Sequence, residues 1–452
     1  MGQWAGVILA AGVGARMKSR LPKVLHPVCG KEMIRYPFEL MRELGIDRIA
    51  VVVSPANGPP VKNLLSDSVE YVVQPEARGT GDALARARKF LAGKADNLLV
   101  LGGDSPLVRE NTVKQLLASH LDSGSTMTVL VGQVPSANDC GRVIRDGSGQ
   151  VTAIVEAADG NEAPDSSGEI NGGVYCFSAP WLWENLERIE PGRNGERYIT
   201  SLASIGTAAG CEVIGVATED PSELQGVNNR VQLAQVEGAL RQRIRRKWML
   251  DGVTMADPDS VYIDVDVSIG QDTLLLPNTM LLGRSKIGEG CEIGPGSVIR
   301  DSTVGSQCRV TASMLEEATI ENGVDIGPFS HLRPGAYLES GVHIGNFAEV
   351  KESRLGSGVM MGHFGYVGDA SIGANVNLGA GMVTCNYDGK NKHRTMIEAG
   401  AFVGCDTMLV APVKVGAAAV TGAGAVVTDD VPPGRLAVGA PARIRRKKAS
   451  AD

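Results

Sequence analysis

Aromatic side chains are scarce in this chain of 452 residues, at 4% of the total. A core with so few rings must be filled by aliphatic and small side chains. The eight cysteines include no C-x-x-C pair, so we expect neither a disulfide framework nor a zinc site. The chain also has no apolar run of about 18 residues, the length that a membrane span needs. We interpret the short apolar run at residues 7–11 as a buried strand and not as a leader or a membrane span.

An excess of positive charge is the other missing feature. The formal net charge is −7, whereas nucleic-acid-binding proteins carry clustered positive charge for phosphate contacts. The basic tail at residues 443–448 is short, and we interpret it as a solvated terminus, with a phosphate contact as the alternative. We therefore expect a cytoplasmic protein with small-molecule partners, no nucleic acid and no membrane.

The second half of the chain instead has a period of six. An aliphatic residue recurs at every sixth position in three blocks. The blocks are Ile263, Ile269, Leu275, Leu281, Ile287, Ile293 and Ile299; then Ile326, Leu332, Leu338, Ile344 and Val350; then Ile397, Val403, Leu409, Val415 and Val427, with Thr421 as the one polar member. This period suits neither an amphipathic helix nor an alternating strand. It predicts hexapeptide repeats that form a parallel β-helix of roughly ten coils, with Gly after the aliphatic residue to make the turn.

The first half alternates short apolar runs with helix-length segments. The expected strands lie at residues 6–9, 49–53, 71–74, 98–101, 127–131, 151–155, 174–177 and 213–216. This alternation predicts an α/β domain with a mostly parallel sheet, whose ligands bind beyond the carboxyl ends of the strands.

A connecting helix at residues 229–250 is expected between the halves, because Val236, Leu240, Ile244 and Trp248 form an apolar stripe. Its cations Arg241, Arg243, Arg245, Arg246 and Lys247 are interpreted as a solvated face. The predicted boundaries are residues 1–228 for the α/β domain, 229–250 for the linker helix and 251–452 for the solenoid.

A glycine-containing loop follows the first strand, with Gly12 and Gly14 before Arg16, and Pro22-Lys23 further on. Glycines let the backbone approach an anion closely, and exposed turn amides can bind phosphate. Gly-x-Gly by itself is often only a tight turn. The two added cations favour a phosphate site.

These motifs resemble the sugar nucleotidyltransferases, and Pro22-Lys23-Val24-Leu25-His26 with Gly30-Lys31 is similar to the bifunctional GlmU family. Further matches are Gln74-Pro75, Gly79-Thr80-Gly81, Gly103-Asp104, Gly141-Arg142, Glu169-Ile170-Asn171, Tyr198-Ile199-Thr200 and Gly226-Val227-Asn228-Asn229-Arg230. The resemblance covers almost the whole chain. It implies a Rossmann-like nucleotidyltransferase domain followed by a left-handed parallel β-helix of hexapeptide repeats. The implied product is UDP-N-acetylglucosamine, a precursor for peptidoglycan and lipopolysaccharide.

For the first half, the resemblance implies Mg²⁺-dependent transfer of the uridylyl group of UTP to N-acetylglucosamine-1-phosphate. Asp104 and Asn228 would hold Mg²⁺, and Arg16 and Lys23 would stabilise the phosphates. Nucleotide and sugar contacts would come from Leu9, Ala10, Ala11, Gly12, Gln74, Gly79, Thr80, Gly103, Gly141, Glu156 and Asn171. Without the resemblance, Asp104 could instead cap a helix that begins near Leu107.

For the second half, the resemblance implies acetyl transfer from acetyl-CoA to glucosamine-1-phosphate in a homotrimer. His363 is the candidate base, because a neutral imidazole can accept a proton near pH 7; a lone histidine on a solenoid is more often an ordinary surface residue. Arg333 and Lys351 would meet the sugar phosphate, and Tyr366 and Asn377 the sugar. Acetyl-CoA would be lined by Ala380, Asn386, Tyr387, Cys405 and Ala423. Residues 389–394 are polar and are expected to project as a loop.

Five positions depart from the family pattern. Gly102 replaces the first residue of Tyr-Gly-Asp, Cys140 replaces the Tyr of Gly-Tyr-Gly-Arg, and Ser201 replaces an Asp. Cys405 stands where Ser is frequent, and Ala440 where some members have Arg; Arg443 or Arg445 is the candidate substitute.

Two other hypotheses remain open from the sequence. One is an enzyme with a single active domain, or with another sugar or acyl acceptor. The other is a non-catalytic assembly subunit, because similar two-part chains serve in translation-factor complexes. Such a subunit could lose Lys23, Asp104 and His363, and all three are present.

Overall fold

The computed structural model describes residues 3–133, 140–157 and 168–446. The chain divides into two compact units, Met1–Leu240 and Arg241–Asp452. The division falls inside one long helix, Arg230–Leu250, which matches the helix expected at residues 229–250.

The first unit alternates strands and helices. Its strands are β1 (Trp4–Leu9), β2 (Pro27–Val28), β3 (Lys31–Glu32), β4 (Ile49–Val53), β5 (Glu70–Val73), β6 (Asn97–Gly102), β7 (Met127–Gln133), β8 (Arg142–Arg145), β9 (Val151–Val155), β10 (Glu169–Ser178) and β11 (Val213–Ala217). Its helices are α1 (Arg35–Glu43), α2 (Gly58–Leu65), α3 (Thr80–Arg86), α4 (Arg88–Leu91), α5 (Glu110–Ser123), α6 (Ala179–Asn185) and α7 (Ser201–Ala208), and the long helix is α8.

The main sheet has the order β11-β7-β10-β6-β1-β4-β5. Most neighbours are parallel, as predicted, but β10 is antiparallel to both β6 and β7. Hydrophobic clusters cover both faces of the sheet. Strands β1 and β6 are parallel neighbours, so their carboxyl ends are adjacent. These ends carry Leu9 and the Gly102-Gly103-Asp104 segment to one edge of the sheet.

Strand β8, which forms an antiparallel hairpin with β9, is not among the strands predicted from the sequence. Its four residues are Arg-Val-Ile-Arg, and so short a segment with two cations has no alternating apolar pattern. The turn is fixed instead by Asp146, whose Oδ1 accepts from the Ser148 amide at 2.9 Å and the Gln150 amide at 3.1 Å.

The prediction that the arginines of α8 form a solvated face is wrong for two of them. Arg245 is buried, and it donates to the Pro258 carbonyl at 2.7 Å and to Asp259 Oδ1 at 3.0 Å. Arg241 stacks on the Tyr262 ring, 4.0 Å from its centroid. Both contacts anchor the end of α8 to the first solenoid coil. A long cationic side chain can do this because its hydrocarbon stem and its flat guanidinium group pack against neighbouring residues. Within the described residues, no helix is long and apolar enough to cross a membrane.

The second unit is a parallel β-helix with three sheets. The first contains Thr254–Met255, Leu274–Leu275, Glu292–Ile293, Arg309–Val310, Asp325–Ile326, His343–Ile344, Met360–Met361, Asn377–Leu378, Phe402–Val403, Val420–Thr421, Arg435–Val438 and Arg443–Arg446. The second contains Tyr262–Ile263, Met280–Leu282, Val298–Arg300, Met314–Glu316, His331–Leu332, Ala348–Lys351, Gly365–Gly368, Val383–Cys385, Met408–Val410 and Val426–Val427. The third contains Ser268–Ile269, Lys286–Ile287, Thr303–Val304, Thr319–Ile320, Tyr337–Leu338, Arg354–Leu355, Ala370–Ile372, Thr395–Ile397 and Val413–Val415.

The aliphatic column predicted from the period of six lies inside this β-helix. Every member from Ile263 to Ile299 is buried, and so are those of the two later blocks. The polar member, Thr421, is also buried, and its hydroxyl accepts from the Gly404 amide at 3.0 Å and lies 2.9 Å from Thr407 Oγ1. Hydrogen bonding thus offsets the cost of placing a hydroxyl in the column.

Glycine was predicted after the aliphatic residues because it makes the turn, and this reason is wrong at most positions. Among the predicted turn glycines, Gly294 has a positive φ of 110°, but Gly270, Gly288 and Gly404 do not. A Cβ on Gly288 would lie 2.6 Å from backbone atoms of Gly305 and Ser306 in the next coil, and one on Gly270 would meet Glu289 as closely. These residues are glycine because stacked coils leave no room for a side chain.

A buried polar cluster in the first unit joins α5 to strand β7. The Nδ1 atom of His120 is 2.9 Å from Thr128 Oγ1 and 3.3 Å from Ser125 Oγ, and all three residues are buried. Burial lowers the pKa of His120 to about 4, because the charged imidazolium would lose its hydration.

The low pKa of His120 predicts a pH-dependent stability. An unfolded histidine binds a proton below a pKa of about 6.5, so folding releases that proton between about pH 6.5 and 4 and stability falls as pH drops through this window. In urea unfolding of the wild-type first unit, His120 should lower the free energy of unfolding by up to about 1.4 kcal/mol for each pH unit of decrease within this window. His120→Gln should lack that part of the slope. Equal slopes for the two proteins would contradict the assignment.

Candidate functional sites

The loop after β1 is held by hydrogen bonds to three other segments. The Ala10 amide donates to the Val52 carbonyl at 2.8 Å, and Asn57 Nδ2 donates to the Ala10 carbonyl at 2.7 Å. The Gly103 amide donates to the Leu9 carbonyl at 2.9 Å. The predicted nucleotide residues Leu9, Ala10, Ala11, Gly12 and Gly103 thus meet at one sheet edge.

Gly14 is required by the next turn. It has a φ of 65°, and a Cβ on it would lie 2.7 Å from Lys23 Cβ. The chain then forms a short 3-10 turn, Ala15–Met17, in which Arg16 is exposed. The tight turn that was the simpler interpretation of Gly-x-Gly is therefore present, and it also packs directly on Lys23.

Lys23, Asp104 and Asn228 come from three distant segments and meet in space. The ammonium of Lys23 contacts Asp104 Oδ2, and it donates to Asn228 Oδ1 at 3.2 Å. The side chains of Lys23 and Asp104 are 13% and 23% exposed, so the group is open on one side. Asp104 does not cap α5, which begins at Glu110 after Arg109.

Gln74, Gly79 and Thr80 also lie together. Gln74 is buried, and its Nε2 donates to the Gly79 carbonyl at 3.1 Å and to Asp82 Oδ2 at 2.8 Å. Gly79 has a φ of 94°, and Thr80 Oγ1 accepts from the Ile199 amide at 3.0 Å. These contacts fix the orientation of the Gln74 and Thr80 side chains and the position of the Gly79 backbone.

Gly141, Glu156 and Asn171 form a third group. The Asn171 amide donates to the Gly141 carbonyl at 2.8 Å, and a Cβ on Gly141 would lie 3.4 Å from Glu156 Oε2. Glu156 Oε1 accepts from Thr200 Oγ1 at 2.7 Å, and Asn171 Nδ2 donates to Tyr175 Oη at 2.6 Å. Burial, with the nearby Glu156 carboxylate, raises the pKa of Tyr175.

In the β-helix, His363 and three predicted acetyl-CoA residues share one column of corners. The Gly381 amide, next to Ala380, donates to the Phe364 carbonyl at 2.7 Å. The Asp406 amide donates to the Ala380 carbonyl at 2.7 Å, and the Gly424 amide to the Cys405 carbonyl at 2.8 Å. His363, Ala380, Cys405 and Ala423 therefore lie in successive coils. His363 and Cys405 are exposed.

The predicted sugar-phosphate cations Arg333 and Lys351 lie on the second sheet, with Tyr366. Arg333 Nη1 donates to Glu349 Oε1 at 2.6 Å, and Tyr366 is the register partner of Glu349. The Tyr366 ring lies over Gly368, where a Cβ would contact it. Asn377 lies on the first sheet, between Met360 and Phe402.

Lys392 was not assigned from the sequence, although it belongs to the predicted polar loop. A backbone bridge between Tyr387 and Lys392 closes this loop, as expected for a projecting segment. The Lys392 ammonium beside Lys351 lowers the pKa of Lys351. The cluster Lys390-Asn391-Lys392-His393-Arg394 was a sequence signal for such a cation, but its contact with Lys351 depends on the coil geometry.

Asn386 and Tyr387 differ in how accessible they are. Asn386 is buried and its Nδ2 donates to Asp369 Oδ2, whereas Tyr387 is 62% exposed. The loop is further fixed by Asp388, which accepts from the Asn391 amide at 2.7 Å and contacts His393 Nε2 at 2.7 Å. These bonds lower the pKa of Asp388 to about 2.

The basic tail is not simply a solvated terminus. Arg443–Arg446 is a strand, antiparallel to Arg435–Val438, that extends the first sheet of the β-helix. Arg443 and Arg445 are exposed on it. Lys447 and Lys448 lie outside the described residues.

Comparison with known proteins gives matches to both units. Residues 5–220 match the nucleotidyl transferase family, and residues 266–301 match the bacterial transferase hexapeptide family (six repeats). The bifunctional protein GlmU of Shouchella clausii is 43% identical over 433 residues, which cover 96% of this chain and 95% of that protein. Those of Heliobacterium modesticaldum and Pelobacter propionicus are 44% and 43% identical, covering 96% and 98% of this chain and 94% and 97% of theirs.

The chain belongs to the bifunctional GlmU family. It is a transferase with a nucleotidyltransferase unit and a hexapeptide-repeat acetyltransferase unit, as the sequence predicted. GlmU membership also implies a nucleotide-sugar pathway that uses a metal and an acyl-CoA.

The packing of Gly14 on Lys23 predicts a sharp effect of one methyl group. Gly14→Ala should displace Lys23, the expected phosphate contact, and lower uridylyl transfer at least about tenfold, because a misplaced binding group loses much of its effect. Gly45→Ala is the matched control, since Gly45 has a φ of 75° but nothing within 4 Å of a Cβ. The control should show only the cost of a left-handed residue, about 1 kcal/mol in urea unfolding. Equal activity losses in the two variants would contradict the packing argument.

Proposed function

We propose that the first unit transfers the uridylyl group of UTP to N-acetylglucosamine-1-phosphate, and that the second acetylates glucosamine-1-phosphate with acetyl-CoA. The two steps would make UDP-N-acetylglucosamine for peptidoglycan and lipopolysaccharide synthesis in the cytoplasm. The observation that carries the first step is the meeting of Lys23, Asp104 and Asn228 at the edge of the sheet.

Asp104 and Asn228 are the proposed holders of Mg²⁺. Their fit is supported by Lys23, whose ammonium already lies against one oxygen of each, so both side chains present oxygen to a cation. Carboxylate and amide oxygens are the hard ligands that Mg²⁺ prefers. When bound, the ion would neutralise charge on the phosphates of UTP.

The residues of the first unit then have positioning and electrostatic roles. A phosphate oxygen of the sugar attacks the α-phosphorus of UTP in line, and pyrophosphate leaves, so no covalent intermediate is needed. Lys23 and Arg16 stabilise charge on the phosphates. Gln74, Gly79 and Thr80 hold the uracil, since the fixed Gln74 and Thr80 side chains and the Gly79 backbone give a rigid polar surface. Gly141, Glu156 and Asn171 contact the sugar.

In the second unit, His363 accepts a proton from the amine as the amine nitrogen attacks the thioester carbonyl; the C–S bond then breaks, the proton returns to sulfur and CoA leaves as the thiol. Ala380, Cys405 and Ala423 form a column of small residues along successive corners, which leaves room for an extended CoA chain. Asn386 and Tyr387 border it, and Arg443 or Arg445 takes the place of the arginine missing at Ala440. Asn377 and Tyr366 hold the sugar.

The sugar phosphate binds Arg333, Lys351 and Lys392. Lys351 and Lys392 repel each other, and a phosphate dianion would relieve that repulsion. We therefore add Lys392 to the residues inferred from the family pattern.

Separate substitutions should separate the two activities. Asp104→Ala should abolish formation of UDP-sugar and leave acetyl transfer intact, and His363→Ala should do the reverse. The products are identified by mass after incubation with Mg²⁺, UTP, acetyl-CoA and glucosamine-1-phosphate, and again with N-acetylglucosamine-1-phosphate in place of the amine. Loss of both activities from one folded variant would exclude the two-site assignment. An unmodified chain inactive in both reactions would favour the assembly-subunit hypothesis.

The β-helix is also proposed to assemble as a homotrimer. Its outer surface exposes stacked rings, since Phe329 and Phe347 are 60% and 62% exposed with centroids 5.4 Å apart. Such exposed apolar surface marks interaction sites. Sedimentation velocity should give the trimer mass at assay concentrations. A stable monomer with full acetyl transfer activity would show that the trimer is not needed.

A further inference from the structure

We propose that His26 and Arg230 form a positioning pair that fixes the separation of Lys23 and Asn228 during uridylyl transfer. The inference rests on the proposed function of the first unit. It concerns two residues that the mechanism above does not use.

Arg230 binds both ends of the segment that carries Lys23. Its Nε donates to the Met17 carbonyl at 3.3 Å, and its Nη1 donates to His26 Nδ1 at 3.3 Å. Met17 ends the turn that contains Arg16, and the His26 amide closes the turn Lys23–Leu25 by donating to the Lys23 carbonyl at 3.2 Å. One guanidinium therefore spans the whole segment between the two phosphate cations.

Arg230 is also tied to Asn228 through the backbone. It is the first residue of α8, two positions after Asn228. The Asn228 amide is itself held by Gln232 Oε1 at 2.8 Å, in the first turn of the same helix. A shift of Arg230 relative to His26 would therefore change the distance between Lys23 Nζ and Asn228 Oδ1, which is 3.2 Å.

The chemistry of the pair requires an acceptor at His26. A guanidinium has only donors, so Nδ1 must offer a lone pair and the ring proton is on Nε2. His26 is 4% exposed, and its backbone is held where the His26 carbonyl accepts from the Met33 amide at 3.1 Å. His26 is thus a rigid, buried acceptor, whereas Arg230 is exposed and can be changed without opening a cavity.

A matched pair of substitutions isolates that acceptor. In His26→Asn, the side-chain oxygen takes a position close to that of Nδ1 and can accept from Arg230. In His26→Leu, a side chain of similar shape has no lone pair. Arg230→Met removes the donor at an exposed position, and Arg48→Met controls for the loss of one exposed arginine.

The measurements are kcat, the KM for UTP and the Mg²⁺ concentration for half-maximal uridylyl transfer, with acetyl transfer assayed on the same samples. His26→Leu and Arg230→Met should each lower kcat about tenfold, because a displaced phosphate-binding group loses much of its effect. Both should also raise the Mg²⁺ concentration needed for half-maximal activity. His26→Asn should keep most of the activity. The double variant His26→Leu/Arg230→Met should be no worse than either single one, because both remove the same contact. Acetyl transfer and Arg48→Met should be unchanged.

Three outcomes overturn the proposal. Full activity in Arg230→Met would show that the contact does not position Lys23. Equal losses in His26→Asn and His26→Leu would assign His26 a packing role. Additive losses in the double variant would show that the two residues act separately. Absence of UDP-sugar formation in the unmodified chain would refute the proposed function itself, which the other outcomes leave intact.

Discussion

The stacking of one coil directly on the next is the constraint on which the second unit depends. Strands in successive coils pair in register, so each inward position repeats in the coil above and below. An aliphatic residue therefore recurs at the inward positions, and glycine is needed where the backbone of the next coil leaves no room for a Cβ, as at Gly288 and Gly404. The period of six therefore reflects the close approach of stacked backbones as well as the burial of aliphatic side chains.

The same constraint determines where chemistry can be placed. Side chains inside the coils are fixed by the fold, whereas those on the outer faces and corners are free to vary. Residues separated by about one coil in sequence then become neighbours, as with Arg333 and Glu349. His363 and Cys405 are distant in sequence but lie in the same column of corners for this reason. A solenoid thus collects functional groups along a line.

Features with a local sequence pattern could be predicted from the sequence. Features that depend on long-range packing could not. The aliphatic columns, the helix Arg230–Leu250 and most strands of the first unit were predictable, because each has its own pattern of apolar residues. The antiparallel direction of Glu169–Ser178 was not, since direction is set by the neighbouring strands. Arg245 was taken as solvated because its sequence context is basic, yet its partner is a carbonyl that only the folded chain brings close. The meeting of Lys23 with Asp104 and Asn228 was expected only through family resemblance.

The two sites gather cations in opposite electrostatic conditions. Lys23 is compensated by Asp104, so Lys23 alone attracts a phosphate only weakly until another cation shares the carboxylate. Lys351 and Lys392 face each other, and the pKa of Lys351 is lowered by that repulsion. An anion between them therefore removes an unfavourable interaction besides adding a favourable one. In the proposed reactions, the second site would bind phosphate directly, whereas the first would bind it together with a metal.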